Sequence, residues 1–478
     1  MVIGPAAILL GTSIGSGEWL IGPAAVVRYG TALLGIVTVS VLLQVVFNIE
    51  LMRYTVSTGE PIFTGFMRLG KRPRVVGALY IIFGFLHLGW PAFAATSAAA
   101  LFAVMNGRLP VDADAASVTL YAYFTFALAL AILLFGRTVE KTLERVSWTL
   151  MSVVFLFLIV VNVAFIPGSV WWSTIKGFAF IGTFPESVDW RLIGAFAAYA
   201  GAGGVANLML SNWARDRGYG MGASVGAIGG AVGGGTSTLS PTGKMFPMDS
   251  KSIGHWKQWM TYLQAEQIGI WGPFCLIGMF LTVNMAVGTM PAGTDIAGLA
   301  AGAYQAEYLR ASVGEFMWLL TLLNGFWILL STQLVVMDGL VRVTTDIMWT
   351  ALPEVRRAAK DDVRKVYYAR RLHRLGVLCA DPGATHRSCP DRSQRRRLHP
   401  RVFRHTHHPG EPLTVARTPP TLTHKTSLDG LRRPLLRLLR RNEPLVVINL
   451  RGTGPQRRDG VGIFTAEAQR RREERGCS

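Results

Sequence analysis

The sequence predicts an all-α integral membrane protein, on two observations. Half of the 478 residues are hydrophobic and only 16% are charged, with a mean hydropathy of +0.34, whereas a soluble chain carries about 25% charge. The apolar residues also gather into runs of about 20, long enough to cross a hydrocarbon core as helices. A third observation, the way two of these spans are interrupted, predicts their arrangement as an inverted-repeat bundle.

Eight such runs occur, at roughly 3–28, 31–54, 75–105, 117–135, 146–167, 190–212, 266–288 and 316–338. The third is long and carries Pro91, which predicts a kink or tilt. Lys and Arg concentrate in alternate loops. Arg68, Lys71, Arg72 and Arg74 lie in 55–74, Arg137, Lys141 and Arg145 in 136–145, and Arg215, Arg217, Lys244, Lys251 and Lys257 in 213–265. Arg342, Arg356, Arg357, Lys360, Arg364 and Lys365 follow the last run. The intervening loops carry Asp112, Asp114, Glu186, Asp189, Asp295 and Glu307 instead. The basic loops, and with them the N-terminus, are therefore expected on the cytoplasmic side of an inner or plasma membrane. No basic n-region or A-x-A site marks a cleavable signal peptide.

Three regions follow: a transmembrane domain over 1–345, a cytoplasmic connecting segment over 346–370, and a basic tail over 371–478. The tail holds 23 Lys and Arg against 9 Asp and Glu, so most of the net charge of +19 belongs to it. It lacks Trp and Tyr but contains seven of the nine histidines and three of the four cysteines, Cys379, Cys389 and Cys477. Three readings stand: translation in a shifted frame of GC-rich DNA, a disordered basic tail attracted to anionic lipid, and a metal site. The last matches no zinc spacing. No disulfide framework is implied. The glycine-rich stretch 218–235 lacks the spacing of a phosphate loop and reads as a flexible loop.

Backbone that departs from a helix within lipid is tolerated only where it lines a cavity or is buried in protein. Two spans carry the signature. The first contains "LLGTSIGSGEWLIGP", and an unwound stretch is expected around Gly11–Gly17. The sixth contains "AYAGAGGVANLML", with Gly201, Gly203 and Gly204 followed by Asn207. They lie five spans apart, which is where an inverted repeat places its paired broken helices and its binding site. The competing reading is that the glycines only allow close helix packing.

An ionisable residue at mid-membrane is by default a functional candidate, and Glu18 is the one offered by the first interruption. It is read as a hard oxygen ligand for a cation or a proton acceptor. It is also read as a cap on the second half-helix; the roles can coexist. Thr12, Ser13 and Ser16 add hydroxyls, which also commonly bond back to their own helix. Asn207 is read either as an amide oxygen opposite Glu18 or as a bridge across the open backbone. Ser211 and Asn212 are placed in an inner vestibule. His87, with Trp90 and Pro91, reads as packing at a kink or as a proton relay. Asn48 and Glu50 read as polar contacts between helices or at the interface.

Several strings resemble the natural-resistance-associated macrophage protein (Nramp) family of divalent-metal transporters, of the leucine-transporter-like superfamily. "IGPAAILLGTSIGSGEWLIGPAAVVRYG" resembles its first helix, "GAGGVANLML" its sixth and "VVMDGLV" the end of its eighth, over about 1–345. The resemblance implies a leucine-transporter-like inverted-repeat bundle, of which about eight helices are present and the second repeat is incomplete. It places the family's Asp, Pro, Gly and Asn of the first motif on Gly15, Ser16, Gly17 and Glu18. The Met, Pro, His and Asn of the sixth fall on Gly204, Val205, Ala206 and Asn207. Only Gly17 and Asn207 match, so the family's metal-binding Asp and Met are absent. The third span lacks the family's acidic proton carriers and offers His87, Trp90 and Ser97. Gln333 lies one residue out of register with the family's Gln.

The expectation is a secondary transporter working by alternating access. The substrate site is expected around Glu18, Gly15, Ser16, Gly17, Gly204 and Asn207, with Glu18 and Asn207 as metal ligands. A divalent cation of the magnesium, manganese or iron type is the substrate the resemblance implies. A small cationic or zwitterionic organic solute is the alternative, as is an inactive, truncated or frameshifted remnant. No cofactor is expected, the partners are the bilayer and the transported species, and no nucleic acid is implied. No H-x-x-H or D-D-x-x-D motif in the body suggests an enzyme, and none is expected.

Overall fold

The computed structural model describes residues 4–88, 92–134, 139–180, 182, 184, 187–229, 238–296 and 300–369. The basic tail, Trp90, Pro91 and the second part of the glycine-rich stretch lie outside them, as do the side chains of Ser16 and 139–142.

All elements among the described residues are helical. The first expected span is α1 (Pro5–Ser13), a π-helical stretch (Ile14–Ile21) and α2 (Gly22–Tyr29). The second is α3 (Gly35–Thr58), which α4 (Ile62–Leu69) follows. The third comprises α5 (Pro73–Leu88) and α6 (Ala92–Asn106), the fourth α7 (Ala115–Leu134) and the fifth α8 (Val139–Phe165). After α9 (Gly168–Ala179) the sixth span is α10 (Trp190–Tyr199) and α11 (Gly204–Asp216). The short α12 (Gly222–Val225) leads to α13 (Ser250–Glu266), a second π stretch (Gln267–Trp271) and α14 (Gly272–Thr289), which form the seventh. α15 (Tyr304–Val313), α16 (Glu315–Ala351) and α17 (Pro353–Ala358) complete the set.

Seven of these segments are long and apolar enough to cross a membrane, against the eight expected. The difference is the first, Pro5–Tyr29, which is not among the seven. This corrects one expectation: the first interruption is widened, not unwound. A π-helix bonds i to i+5 and carries an extra residue per turn, so it displaces carbonyls without exposing the backbone. The seventh span starts at Ser250, well before 266, and the boundary expected at 345 falls inside α16.

The surface is that of a multi-pass membrane protein. Along α3, Val37, Val41, Val45, Asn48 and Met52 are buried, while Leu42, Leu43, Val46 and Phe47 are exposed. Exposed apolar residues recur on α5 at Ile82, Phe83 and Leu86 and on α8 at Leu156, Ile159 and Val163. Such faces are stable only against hydrocarbon. α16 is about 55 Å long at 1.5 Å per residue. It is buried along most of its length and packs on α1, α5, α6, α8, α11 and α15. It is the axis of the bundle.

Candidate functional site

The sixth span opens as its glycines predict. α10 ends at Tyr199 and α11 begins at Gly204; Gly201 (φ 89°) and Gly203 (φ 72°) adopt left-handed backbone, which side chains bearing Cβ resist. The freed groups are caught by Gln44 of α3. Its Oε1 accepts from Ala202 N at 3.1 Å, Gly203 N at 2.9 Å and Asn207 Nδ2 at 3.0 Å. Its Nε2 donates to Ala200 O at 2.6 Å and Ser40 Oγ at 3.0 Å. The two backbone N–H groups fix which end of Gln44 faces the break. Gln44 in turn fixes Asn207: its Nδ2 is committed, and its Oδ1 is left buried and unpartnered.

The first span is pressed against this opening. A Cβ on Gly17 would strike the carbonyl oxygen of Tyr199, so glycine is required for the two interrupted helices to meet there. A Cβ on Gly15 would strike the Thr332 hydroxyl of α16, which donates to Gly11 O at 3.0 Å. Within the π stretch, Gln305 Nε2 donates to Trp19 O at 3.0 Å and Trp19 Nε1 to Gly302 O at 3.2 Å. Neighbouring side chains thus hold carbonyls of this segment, as buried backbone requires.

Glu18 lies in the middle of the π stretch and is wholly buried. Neither carboxylate oxygen has a hydrogen-bond partner of ordinary geometry, and the Gly201 amide lies nearby. It caps no helix, which removes the capping reading. The carboxylate that does cap the first span is Glu266, whose Oε1 accepts from Gly4 N at 3.3 Å and Ala6 N at 3.0 Å. The Thr12 hydroxyl is also buried and unpartnered, whereas Ser13 bonds back to Leu9 O at 3.2 Å. Cys275 of α14 lies beside Ser13 and within the field of Glu18. Among the described residues no three His, Cys, Asp or Glu side chains are grouped to hold a metal ion. A cation at Glu18 therefore needs amide or carbonyl oxygens to complete its shell.

The structure brings Gly17, Glu18, Gly204 and Asn207 to the break, puts Gly15 against α16, and holds Ser16 in the π stretch by its backbone. Ser211 and Asn212 do not line a vestibule. Both are buried; Ser211 Oγ accepts from Ile62 N at 3.1 Å, and Asn212 bonds Asp346. Asn48 donates to Gln267 at 3.0 Å between helices, as expected, whereas Glu50 pairs with Arg53 of its own helix.

The sequence did not single out Gln44 or Thr332, though a side-chain amide at 44 in the apolar second span is a signal that points to one of them. A buried charge network escapes it too. Arg215 Nη1 meets Asp346 at 2.7 Å and its Nη2 meets Asp216 at 2.6 Å. Arg342 bonds Asp216 and, at 2.6 Å, Asp338, which also accepts from Trp213 Nε1 at 2.9 Å and from Tyr367. It ties α11 to α16 at the end of the bundle where the basic loops lie. The i, i+4 spacing of Asp338 and Arg342 is its visible trace.

No known family model matches the chain, and no curated protein matches it in sequence. Two single-residue variants of the Eremococcus coleocola manganese transporter are similar in structure. Each is 16% identical and aligns over 79% of this chain and 70% of its own, with TM-scores of 0.52 and 0.51. The fold is leucine-transporter-like. At this identity the likeness speaks for the fold alone. Within the leucine-transporter-like bundle, the two interruptions that the sequence pairs five spans apart are in contact at Gly17 and Tyr199.

Proposed function

We propose that this chain is a secondary-active transporter of a divalent metal cation, working by alternating access with the cation held between the π stretch of the first span and the open backbone of the sixth. One observation carries the proposal: Glu18 is wholly buried with both carboxylate oxygens unpartnered, beside a break at which the Asn207 carbonyl oxygen is also left free. Buried polar groups are nearly always bonded, and a carboxylate unpaired in a membrane interior is functional by default. The missing partner is best supplied by a cation. Glu18 gives it charge, Asn207 gives an amide oxygen, and carbonyls of the break can complete an oxygen-rich shell. The likeness in fold to manganese transporters supports a divalent ion as the first choice. The basic loops support a cytoplasmic N-terminus.

Uptake into liposomes containing the full chain tests this. Manganese, cobalt and magnesium ions are offered one at a time, with a small organic amine as competitor. Saturable uptake of one of the ions is expected. Uptake of none of them overturns the divalent-cation reading, and block by the amine alone favours an organic cation.

A further inference from the structure

The break has another neighbour with an unsatisfied atom, and it belongs to neither interrupted helix. His87 stands near the end of α5. Its ring lies over Gly204, where an added Cβ would stand 3.0 Å from Cε1, 3.4 Å from Nδ1 and 3.6 Å from Nε2. Its centroid is 5.4 Å from the ring of Tyr199. Tyr199 closes α10 and Gly204 opens α11, so the imidazole reaches across the open stretch from one end to the other. Nδ1 is buried and has no hydrogen-bond partner.

Packing alone explains this poorly. An apolar ring would fill the same space over Gly204 without leaving a nitrogen unpaired, and buried side-chain nitrogens are normally bonded. The absence of a side chain at 204 is what admits the ring: any Cβ there meets it at 3.0 Å and the position is left-handed (φ 45°). Glu18, fully buried and unpartnered, and the free oxygen of Asn207 border the same break and point independently to a ligand there.

We propose that His87 is a selectivity ligand of the substrate site, presenting a ring nitrogen to the cation. This rests on the divalent-cation reading and narrows it. A carboxylate and an amide oxygen alone suit magnesium, calcium or manganese, whereas imidazole suits the later transition ions. The combination favours cobalt and zinc over magnesium and calcium, because only the former gain from exchanging an oxygen for a nitrogen.

The test is competition uptake into liposomes, with cobalt, zinc, magnesium and calcium against manganese, for wild type, His87→Ala and His87→Gln. Even the hydrogen-bond partners of metal ligands are typically worth 10–100-fold in affinity; loss of a ligand should lower the cobalt-to-magnesium preference by about tenfold or more in His87→Ala. His87→Gln, which keeps a polar group of similar reach but offers oxygen, should fall in the same direction. Wild type itself should prefer cobalt and zinc to magnesium, a result that needs no variant to fold. An unchanged preference in both variants, or a wild type that prefers magnesium, overturns the proposal. Failure of wild type to take up any divalent ion would overturn the reading beneath it, and is a separate outcome.

Discussion

Replacing Gln44 by Leu should open the sixth-span break. The side chain satisfies two backbone N–H groups, one backbone carbonyl and the Asn207 amide through five hydrogen bonds between 2.6 and 3.1 Å, one of them to Ser40. Leu keeps the bulk and removes all of them. An orphaned buried polar group costs about 1–3 kcal/mol, while side-chain hydrogen bonds measured within membranes average only about 0.6 kcal/mol. Three backbone orphans, one side-chain orphan and partial rescue by water give about 2–4 kcal/mol of lost stability. Thermal unfolding in detergent should show the melting temperature fall, and hydrogen exchange at 200–204 should accelerate in the folded state. Gln44→Glu should fall between, since it keeps an acceptor for Ala202 and Gly203 but turns an oxygen toward Ala200 O. If Gln44→Leu melts with wild type and exchange at 200–204 is unchanged, Gln44 does not hold the break and the orientation argued for Asn207 fails with it.

Gly17→Ala should cost about 1–3 kcal/mol through overpacking, and trimming a partner side chain should not restore it, because the obstructing atom is the Tyr199 carbonyl oxygen; melting of the single variant and of its combination with Tyr199→Ala checks this. Arg342→Met removes a guanidinium shared by Asp216 and Asp338 in a fully buried site and should cost about 3–5 kcal/mol, read as lost melting temperature in detergent. Asp249 caps α13 through Ser252 N at 2.8 Å, and these bonds hold its carboxyl below the ordinary 3.8. A carboxyl depressed on folding stabilises above its unfolded value and loses that contribution as pH falls through the folded one. Exchange at 250–254 should therefore quicken below pH 3.8 in wild type, and Asp249→Asn should lose this pH dependence.

The membrane class and the sixth break were legible in the sequence because each has a local cause: apolar runs of spanning length, and glycines at 201, 203 and 204 whose backbone few other residues adopt. The form of the first interruption was not. Gly11, Gly15 and Gly17 suggest unwinding, yet Gly15 and Gly17 are glycine because Thr332 and Tyr199, which lie far along the chain, approach them closely. Glu18 was legible as a charge in an apolar run, whereas its lack of a capping role depends on where α2 starts. The Gln44 clamp and the Arg215–Asp346 pair join residues more than 100 positions apart, and no local pattern encodes such pairing.

The central claim is that Glu18 awaits a cation. Titration of purified wild type, Glu18→Asp and Glu18→Gln with manganese, followed by calorimetry, addresses it most directly. Wild type should bind, Glu18→Gln should bind at least about tenfold more weakly because the carboxylate at the break is gone, and Glu18→Asp should keep the charge and part of the affinity. Equal binding by wild type and Glu18→Gln would contradict the account.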